Sequence, residues 1–451
     1  MREKGEGTRI MQEFRLKKRR FTSFQVITLG FAGVILMGAL LLMLPISSKS
    51  GMFTPFHEAL FTSTSAVCVT GLVVQDTATY WSVFGQLIIL LLIQIGGLGV
   101  VTVAVSFALL SGRKISLMQR STMQEALAAP KVGGIVRLTG FILKATFLIE
   151  LLGALAMMPV FCRDFGEKGV WMAVFHSVSA FCNAGFDIMG GYSSLTAYAS
   201  DPVINITVMT LIIVGGIGFL TWDDVRTNRQ RFQRYRLQSK VILITTFCLI
   251  LIPAIFFVLY EFSDLPMPER ILASFFQAVT PRTAGFNTES MSAMSDASRA
   301  LIIILMLIGG SPGSTAGGMK TTTFAILIAN AIATFRRDTD AHAFGRRMES
   351  AAVKNAATIL MMYISLFFVG AFAITLIEGL PLGICLYETA SAVGTVGLTL
   401  GITPGLGIAS RMILIILMYL GRVGGLTLIF AAVSGKRKYI SKLPQERITV
   451  G

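Results

Sequence analysis

Ser65-Ala-Val-Cys-Val-Thr-Gly71-Leu72 is the first of four short apolar phrases, each of which lies between long hydrophobic runs. The other three are Ser179-Ala-Phe-Cys-Asn-Ala-Gly185-Phe186, Val279-Thr-Pro-Arg-Thr-Ala-Gly285-Phe286 and Ser391-Ala-Val-Gly-Thr-Val-Gly397-Leu398. Every phrase has glycine at its seventh position, and a bulky apolar residue follows it. A fourfold repeat of this kind predicts four similar units arranged around one axis.

The composition indicates that these units lie in a membrane. Hydrophobic residues make up 54% and charged residues 14% of the 451 positions, and the mean hydropathy is +0.72. A spanning helix needs roughly 20 apolar residues. Eight stretches meet that length, so we predict an all-α polytopic protein with eight transmembrane helices. They lie near residues 24–46, 83–110, 138–160, 203–222, 241–261, 299–334, 355–378 and 409–433.

The positive charge follows the predicted topology. The net charge is +15, and 29 of the 39 Lys and Arg residues fall in five segments. The segments are residues 1–20, 111–137, 223–240, 335–354 and 435–451. Because basic loops stay in the cytoplasm, we expect both termini and the three basic loops there, in a cell inner membrane. Attraction to anionic lipid heads is a secondary effect, and we expect no nucleic-acid partner.

Each repeat is predicted to consist of a helix, a short re-entrant half-helix, a glycine phrase and a second helix. The short half-helices are expected near residues 54–68, 171–182, 268–280 and 384–393. The chain then divides into a cytoplasmic basic tail, four repeats and a cytoplasmic C-terminal tail. These segments are residues 1–23, 24–112, 137–224, 239–334, 355–434 and 435–451.

The glycine phrases are the candidate ion path. Non-helical backbone at membrane depth is tolerated where it lines a cavity, and glycine permits angles that point successive carbonyls at a common axis. Four such segments around a pseudo-fourfold central pore could replace a cation's hydration shell. The predicted filter residues are Val69, Thr70, Gly71, Asn183, Ala184, Gly185, Thr283, Ala284, Gly285, Thr395, Val396 and Gly397.

Four helix–pore-loop–helix repeats with a single filter glycine resemble the Trk/Ktr/HKT superfamily of potassium transporters. Eight spans without an extra N-terminal helix pair resemble its bacterial Ktr membrane subunits (KtrB type) more than Trk. The resemblance implies that K⁺ is the transported ion, with Na⁺ as a candidate activator or co-transported ion. It also implies a membrane homodimer and a cytoplasmic ring of nucleotide-binding regulatory subunits (KtrA type).

The third repeat contains a predicted break inside its second span. Ile308-Gly-Gly-Ser-Pro-Gly-Ser-Thr-Ala-Gly-Gly-Met-Lys320 is rich in helix breakers, which cost roughly 1 kcal/mol per glycine and 3 kcal/mol for proline in a helix. The resemblance identifies the break as an intramembrane gate; a simple kink is the alternative. The predicted gate residues are Gly309, Gly310, Ser311, Pro312, Gly313, Ser314, Thr315, Ala316, Gly317, Gly318, Lys320 and Arg422.

Two of these gate residues are cations near membrane depth. A buried charge of this kind should face a cavity or carbonyl-rich partners, and in the family an arginine at the position of Arg422 projects into the pore. Snorkelling toward the interface is the alternative for both Arg422 and Lys320. The glycine pairs Gly96-Gly97 and Gly215-Gly216 are interpreted as close helix packing.

The function predicted from these features is potassium uptake through the ring of carbonyls. The chain has no phosphate-binding motif such as GxxxxGK[ST] and no catalytic constellation, so we expect no enzyme activity, no covalent cofactor and no metal beyond the transported ion. A sodium-coupled secondary cation symporter, with discontinuous helices and a midplane site, is the alternative.

Overall fold

The computed structural model describes residues 22–110, 115–127, 133–229, 231–424 and 446, without the side chains of 107–110. The predicted cytoplasmic tails, 1–23 and 435–451, lie almost wholly outside the described residues. The regular secondary structure of the described part is almost entirely helical, in agreement with a polytopic membrane protein. One antiparallel hairpin, β1 (His342–Ala343) with β2 (Arg346–Arg347), departs from the all-α expectation.

The helices follow one pattern four times within the described residues. A long helix is followed by a short helix and then by one that breaks or ends near glycine. The first group comprises α1 (Ser23–Leu42), α2 (Phe56–Cys68), α3 (Val83–Leu98) and α4 (Val100–Leu110). A linking helix, α5 (Leu117–Ala126), follows it. The second group comprises α6 (Ile135–Phe165), α7 (Lys168–Phe181), α8 (Pro202–Gly216) and α9 (Phe219–Asn228). The third group comprises α10 (Leu237–Phe256), α11 (Met267–Val279), α12 (Asp296–Leu307) and α13 (Thr321–Phe335). The fourth comprises α14 (Ser350–Glu378), α15 (Leu382–Gly394) and α16 (Ile408–Val423).

The first helix of each group is long and apolar enough to cross a bilayer. These helices are α1, α6, α10 with its π-helical extension to Glu261, and α14. Each presents many apolar side chains outward, as a surface against lipid tails does; Leu376, for example, is 84% exposed. The short helices α2, α7, α11 and α15 lie near the predicted half-helix ranges and are far more deeply buried.

The start of the short helices follows from the sequence. Helices α2, α11 and α15 begin directly after Pro55, Pro266 and Pro381. Proline is tolerated there because its ring presets the backbone angle and its missing N–H would have no helical partner. These three helices therefore start at fixed points and end inside the protein, where the glycine phrases follow.

Two of the predicted spans, 83–110 and 203–222, are not continuous helices. Helices α3 and α4 meet at an angle of 99°, and α8 and α9 meet at 95°. The bends lie at Gly99 and Gly218, whose φ angles are +85° and +91°, a region that favours glycine. With each bent pair taken as one span, the described residues contain up to six helices or pairs able to cross a membrane.

The predicted break in the third repeat is present. Helix α12 ends at Leu307 and α13 begins at Thr321, with no helix between them. The segment closes on itself: the Thr321 amide donates to the Gly310 carbonyl at 3.0 Å, and Ile308 pairs with Met319 in a parallel bridge. We call residues 308–320 the central loop.

Candidate functional site

The four glycine phrases share one backbone conformation. Each has two left-handed residues, the glycine and the residue two positions before it. The earlier residues are Val69, Asn183, Thr283 and Thr395, with φ between 53° and 69°. The glycines are Gly71, Gly185, Gly285 and Gly397, with φ between 68° and 95°. Since a non-glycine residue pays about 1–2 kcal/mol for this conformation, four equivalent pairs indicate a backbone that packing enforces.

The four glycines form a closed ring in chain order. A Cβ added at Gly71 would overlap the Ala184 carbonyl oxygen and would lie 3.2 Å from Gly185 Cα. A Cβ at Gly185 would meet the Ala284 carbonyl, 2.9 Å from Gly285 Cα. A Cβ at Gly285 would meet the Val396 carbonyl and Gly397 Cα in the same way. A Cβ at Gly397 would meet the Thr70 carbonyl and Gly71 Cα, which closes the ring. No side chain fits at any of the four positions, so the backbones approach each other directly.

All twelve predicted filter residues lie in this ring and are buried. In each segment the carbonyl that precedes the glycine lies against the neighbouring segment's glycine. These carbonyls belong to Thr70, Ala184, Ala284 and Val396. The arrangement places four equivalent backbone oxygens around one centre. That they bind an ion stays a prediction.

Hydroxyl groups hold the ring from behind, a role that the sequence reasoning missed. Ser65 Oγ accepts the Gly71 amide at 3.1 Å, and Ser391 Oγ accepts the Gly397 amide at 3.0 Å. Ser179 Oγ donates instead to the Phe186 carbonyl at 2.7 Å. Thr280 Oγ1 donates to the equivalent Phe286 carbonyl. The signal was present, because three of the four phrases begin with serine.

Two charged residues beside the ring point away from its centre. Arg282 is 4% exposed, and its guanidinium donates to Thr246 Oγ1 on α10 at 3.3 Å. Glu388 is fully buried on α15 and accepts hydrogen bonds from Thr399, at 2.8 Å, and from Thr403. Both residues brace the loops that surround the ring.

The central loop lies against the C-terminal ends of α8 and α15. The Ser311 amide donates to the Gly216 carbonyl at 3.0 Å, and the Thr315 amide donates to the Gly215 carbonyl at 3.2 Å. A Cβ on Gly318 would lie 2.8 Å from the Gly394 carbonyl, and one on Gly317 would overlap Thr395. Residues 309–318 therefore fill the space beside the ring, with most of the loop buried.

The two predicted gate cations both bind backbone carbonyls. Arg422 on α16 donates to the Thr315 carbonyl and to the Gly96 and Gly97 carbonyls at the end of α3. Lys320 Nζ donates to the Ala316 carbonyl at 2.8 Å and to the Gly317 carbonyl at 3.1 Å. Arg422 thus ties the loop to the first repeat, and Lys320 ties the loop to itself. Both contacts fit the predicted carbonyl-rich partners rather than snorkelling.

A cavity of about 490 Å³ opens on the other side of the central loop. Lys320, Arg422 and Glu125 line it together with Pro312 and Leu127. A Cβ on Gly313 would lie 2.5 Å from the Leu127 carbonyl, at the end of α5. The linking helix α5, which the sequence reasoning did not predict, therefore touches the loop directly.

Two carboxylates lie close to the ring. Asp187 follows Gly185 by two residues and accepts the Met189 amide at 3.0 Å. Burial raises the pKa of the Asp187 carboxyl to about 6; the Met189 amide opposes the shift, and the charge of Asp76 adds to it. Asp76 accepts the Tyr192 amide at 2.9 Å. The charge of the Asp187 carboxylate therefore changes near pH 6.

Comparison with known proteins agrees with this geometry. Residues 11–441 match the TrkH family, described as a cation transport protein. The chain is 41% identical over 446 residues to the potassium/sodium uptake protein NtpJ of Enterococcus hirae, covering 96% of this chain and 98% of that protein. It is 39% identical to the Ktr system potassium uptake protein B of Bacillus subtilis, covering 97% and 98%.

A solved structure has the same fold. The potassium transporter TrkH from Vibrio parahaemolyticus superposes with a TM-score of 0.74 at 18% identity, covering 93% of this chain and 86% of that chain. At this identity the similarity concerns the fold alone. The sequence match is independent of it and spans nearly the whole chain. This polytopic membrane protein therefore belongs to the TrkH family of cation transport proteins.

Proposed function

We propose that the chain is the potassium-conducting membrane subunit of a bacterial uptake system. The observation that carries this proposal is the closed ring of four glycine segments, in which each glycine lies against a backbone carbonyl of the next segment. Carbonyl oxygens in such a ring replace the hydration shell of a cation. The names of the similar proteins, which take up potassium, support the choice of ion.

In this proposal the membrane potential drives the ion inward. A potential of 100 mV is worth about 2.3 kcal/mol per elementary charge, which corresponds to roughly fifty-fold accumulation. No fuel domain is needed for that ratio. The filter residues at positions 69–71, 183–185, 283–285 and 395–397 act through their backbone oxygens, since no side chain fits at the glycines.

We propose that the central loop is the gate. Arg422 and Lys320 hold it through charge-assisted hydrogen bonds, which are stronger than neutral ones, and both charges repel cations from the cavity behind the loop. The contact between Gly313 and Leu127 gives helix α5 a direct hold on the loop. Helix α5 belongs to the basic segment 111–137, which we assign to the cytoplasm.

A cytoplasmic partner would therefore act on the loop through α5. We propose a ring of nucleotide-binding regulatory subunits of the KtrA type, which the Ktr system names of two relatives support. We further propose eight crossings in four repeats, a homodimer in the inner membrane in contact with anionic lipids, and cytoplasmic termini.

Uptake of K⁺ and Rb⁺ tests this function in bacterial cells that lack other potassium importers. Cells that express the chain with a KtrA-type partner are expected to grow at low external K⁺ and to accumulate Rb⁺. Lack of uptake by correctly inserted protein would refute the proposal. A sodium-coupled symporter is the second candidate, because one relative is named a potassium/sodium uptake protein. A fixed Na⁺:K⁺ stoichiometry with saturating flux would favour it.

A further inference from the structure

The side chain at the first left-handed position of the ring differs among the four repeats. Val69, Thr283 and Thr395 occupy it in three of them, and Asn183 occupies it in the second. Asparagine tolerates this backbone conformation better than the β-branched residues do. It also brings an amide with donors and an acceptor into a fully buried position.

The Asn183 amide connects three parts of the site. Its Nδ2 donates to the Arg282 carbonyl at 3.3 Å and lies 3.5 Å from Thr283 Oγ1, both in the third phrase. Its Oδ1 accepts from Thr315 Oγ1, in the central loop, at 3.1 Å. The Thr315 hydroxyl has a single proton, which it shares between Asn183 Oδ1 and the Phe181 carbonyl at 3.0 Å.

The loop's other hydrogen bonds to the second repeat act differently. They join backbone groups of Ser311 and Thr315 to the carbonyls of Gly216 and Gly215, and the Phe219 amide to the Gly313 carbonyl. These bonds hold the loop on α8 and α9 without touching the ring. Among the described residues, the Thr315 hydroxyl is thus the loop group that bonds a side chain of the ring.

We propose that Asn183 couples the position of the central loop to the shape of the second and third filter segments. If the loop moves away, Asn183 Oδ1 loses its partner in a buried place, which is unfavourable. The amide then turns toward new partners and releases the Arg282 carbonyl. The ring changes shape with the loop, so the cation preference depends on the gate. This inference rests on the proposed function of ring and loop.

The coupling acts in both directions, as linkage between two sites requires. An ion that fits the ring in its closed shape holds Asn183 in place and thereby stabilises the loop. A cation of the wrong size shifts the loop toward release. Asn183 is a positioning residue in this scheme, since its side chain acts on the ring through Arg282 and Thr283.

The test compares uptake of K⁺, Rb⁺ and Na⁺ by purified protein in vesicles, with a potential applied. Thr315→Val removes the hydroxyl and keeps the side-chain shape. We expect the Na⁺:K⁺ flux ratio to change about five-fold, the effect of a coupling worth one hydrogen bond. Thr315→Ser keeps the hydroxyl and is expected to restore the parental ratio.

A matched control separates coupling from simple loosening of the loop. Ser311→Ala removes a hydroxyl that lies 3.1 Å from Thr321 Oγ1 within the same loop region and does not reach the ring. This variant keeps the Thr315–Asn183 hydrogen bond and the backbone bonds of the loop to α8, so it is expected to keep the parental ion ratio. A Thr315→Val protein that behaves in the same way would overturn the proposal.

A double variant tests the pair itself. Asn183→Gly keeps the left-handed backbone and removes the amide, so it should shift the ratio with or without Thr315→Val. Equal ratios for the single Asn183→Gly and the double variant support the coupling, and additive changes contradict it. Parental protein that transports K⁺ while these variants show no change in ratio refutes the coupling alone. Parental protein without K⁺ flux refutes the function.

Discussion

Substitution of a ring glycine gives the sharpest prediction about the filter. Gly285 has φ +80°, and a Cβ at this position would lie against the Val396 carbonyl and 3.2 Å from Gly397 Cα. Gly285→Ser therefore meets two costs. The left-handed backbone costs about 1–2 kcal/mol for a non-glycine residue, and overpacking costs about 1–3 kcal/mol.

Together these costs reach about 2–5 kcal/mol. At 1.36 kcal/mol per factor of ten, the population of the intact ring falls at least about 30-fold. We expect K⁺ uptake to fall by a similar factor, measured as ⁸⁶Rb⁺ accumulation in cells without other importers. The remaining flux should discriminate less between K⁺ and Na⁺, because the ring must widen to hold the side chain.

Gly401→Ser is the matched control for this experiment. Gly401 has φ +91°, close to that of Gly285, but no atom lies within 4 Å of its added Cβ. It shares the backbone strain and lacks the contact with a neighbouring segment. We expect near-parental uptake from this variant at equal membrane abundance. Equal losses in both variants, or parental uptake from Gly285→Ser, would refute the reasoning.

Three further predictions follow from single contacts. Arg422→Gln removes a charged donor from carbonyls of the central loop and α3, so the K⁺ leak without the regulatory partner should rise about ten-fold. The rise should be smaller for Arg422→Lys, which keeps the charge. A lower leak through folded protein would contradict the proposal that the loop is the gate. Ser391→Ala leaves the Gly397 amide unpaired at a cost of about 1–3 kcal/mol, so discrimination against Na⁺ should fall about five-fold or more. An unchanged K⁺:Na⁺ uptake ratio would refute the role of Ser391 in holding the ring. The pKa of Asp187 is raised to about 6, so its carboxylate attracts cations above that pH and is neutral below it. The K⁺ concentration for half-maximal uptake should therefore rise as the external pH falls through 6. Asp187→Asn should abolish that pH dependence.

Much of the ring could be predicted from the sequence because the repeat places equivalent residues at equivalent positions. The seventh-position glycines identify the sites of close backbone approach, and the prolines before α2, α11 and α15 help set where the short helices begin. The break in the third span could also be predicted, since five glycines and a proline within thirteen residues cannot continue a helix.

The bends at Gly99 and Gly218 could not be predicted in the same way. A glycine pair inside an apolar run fits close helix packing, and Gly96 does lie against the Val67 carbonyl. The bend depends on the next glycine, which lies two residues after each pair, and on the contacts that the following helix makes. A Cβ added at Gly218, for example, would lie 2.7 Å from the Pro312 carbonyl, which belongs to a distant part of the chain.

The role of the Asn183 side chain also depends on distant residues. Its partners Arg282 and Thr315 lie about 100 and 130 positions away, so local spacing carries no sign of them. The sequence does mark the position as unusual, because the other three repeats have valine or threonine there. The hairpin at His342–Arg347 is a further local feature that hydropathy does not indicate.

The most direct test of the account is the position of bound ions in crystals of the protein grown or soaked in RbCl. Anomalous scattering distinguishes Rb⁺ from water and from the lighter protein atoms. We predict a peak at the centre of the ring, surrounded by the carbonyls of Thr70, Ala184, Ala284 and Val396. A well-ordered ring without a peak at its centre, with Rb⁺ bound elsewhere in the membrane part, would contradict the claim that these four segments form the ion path.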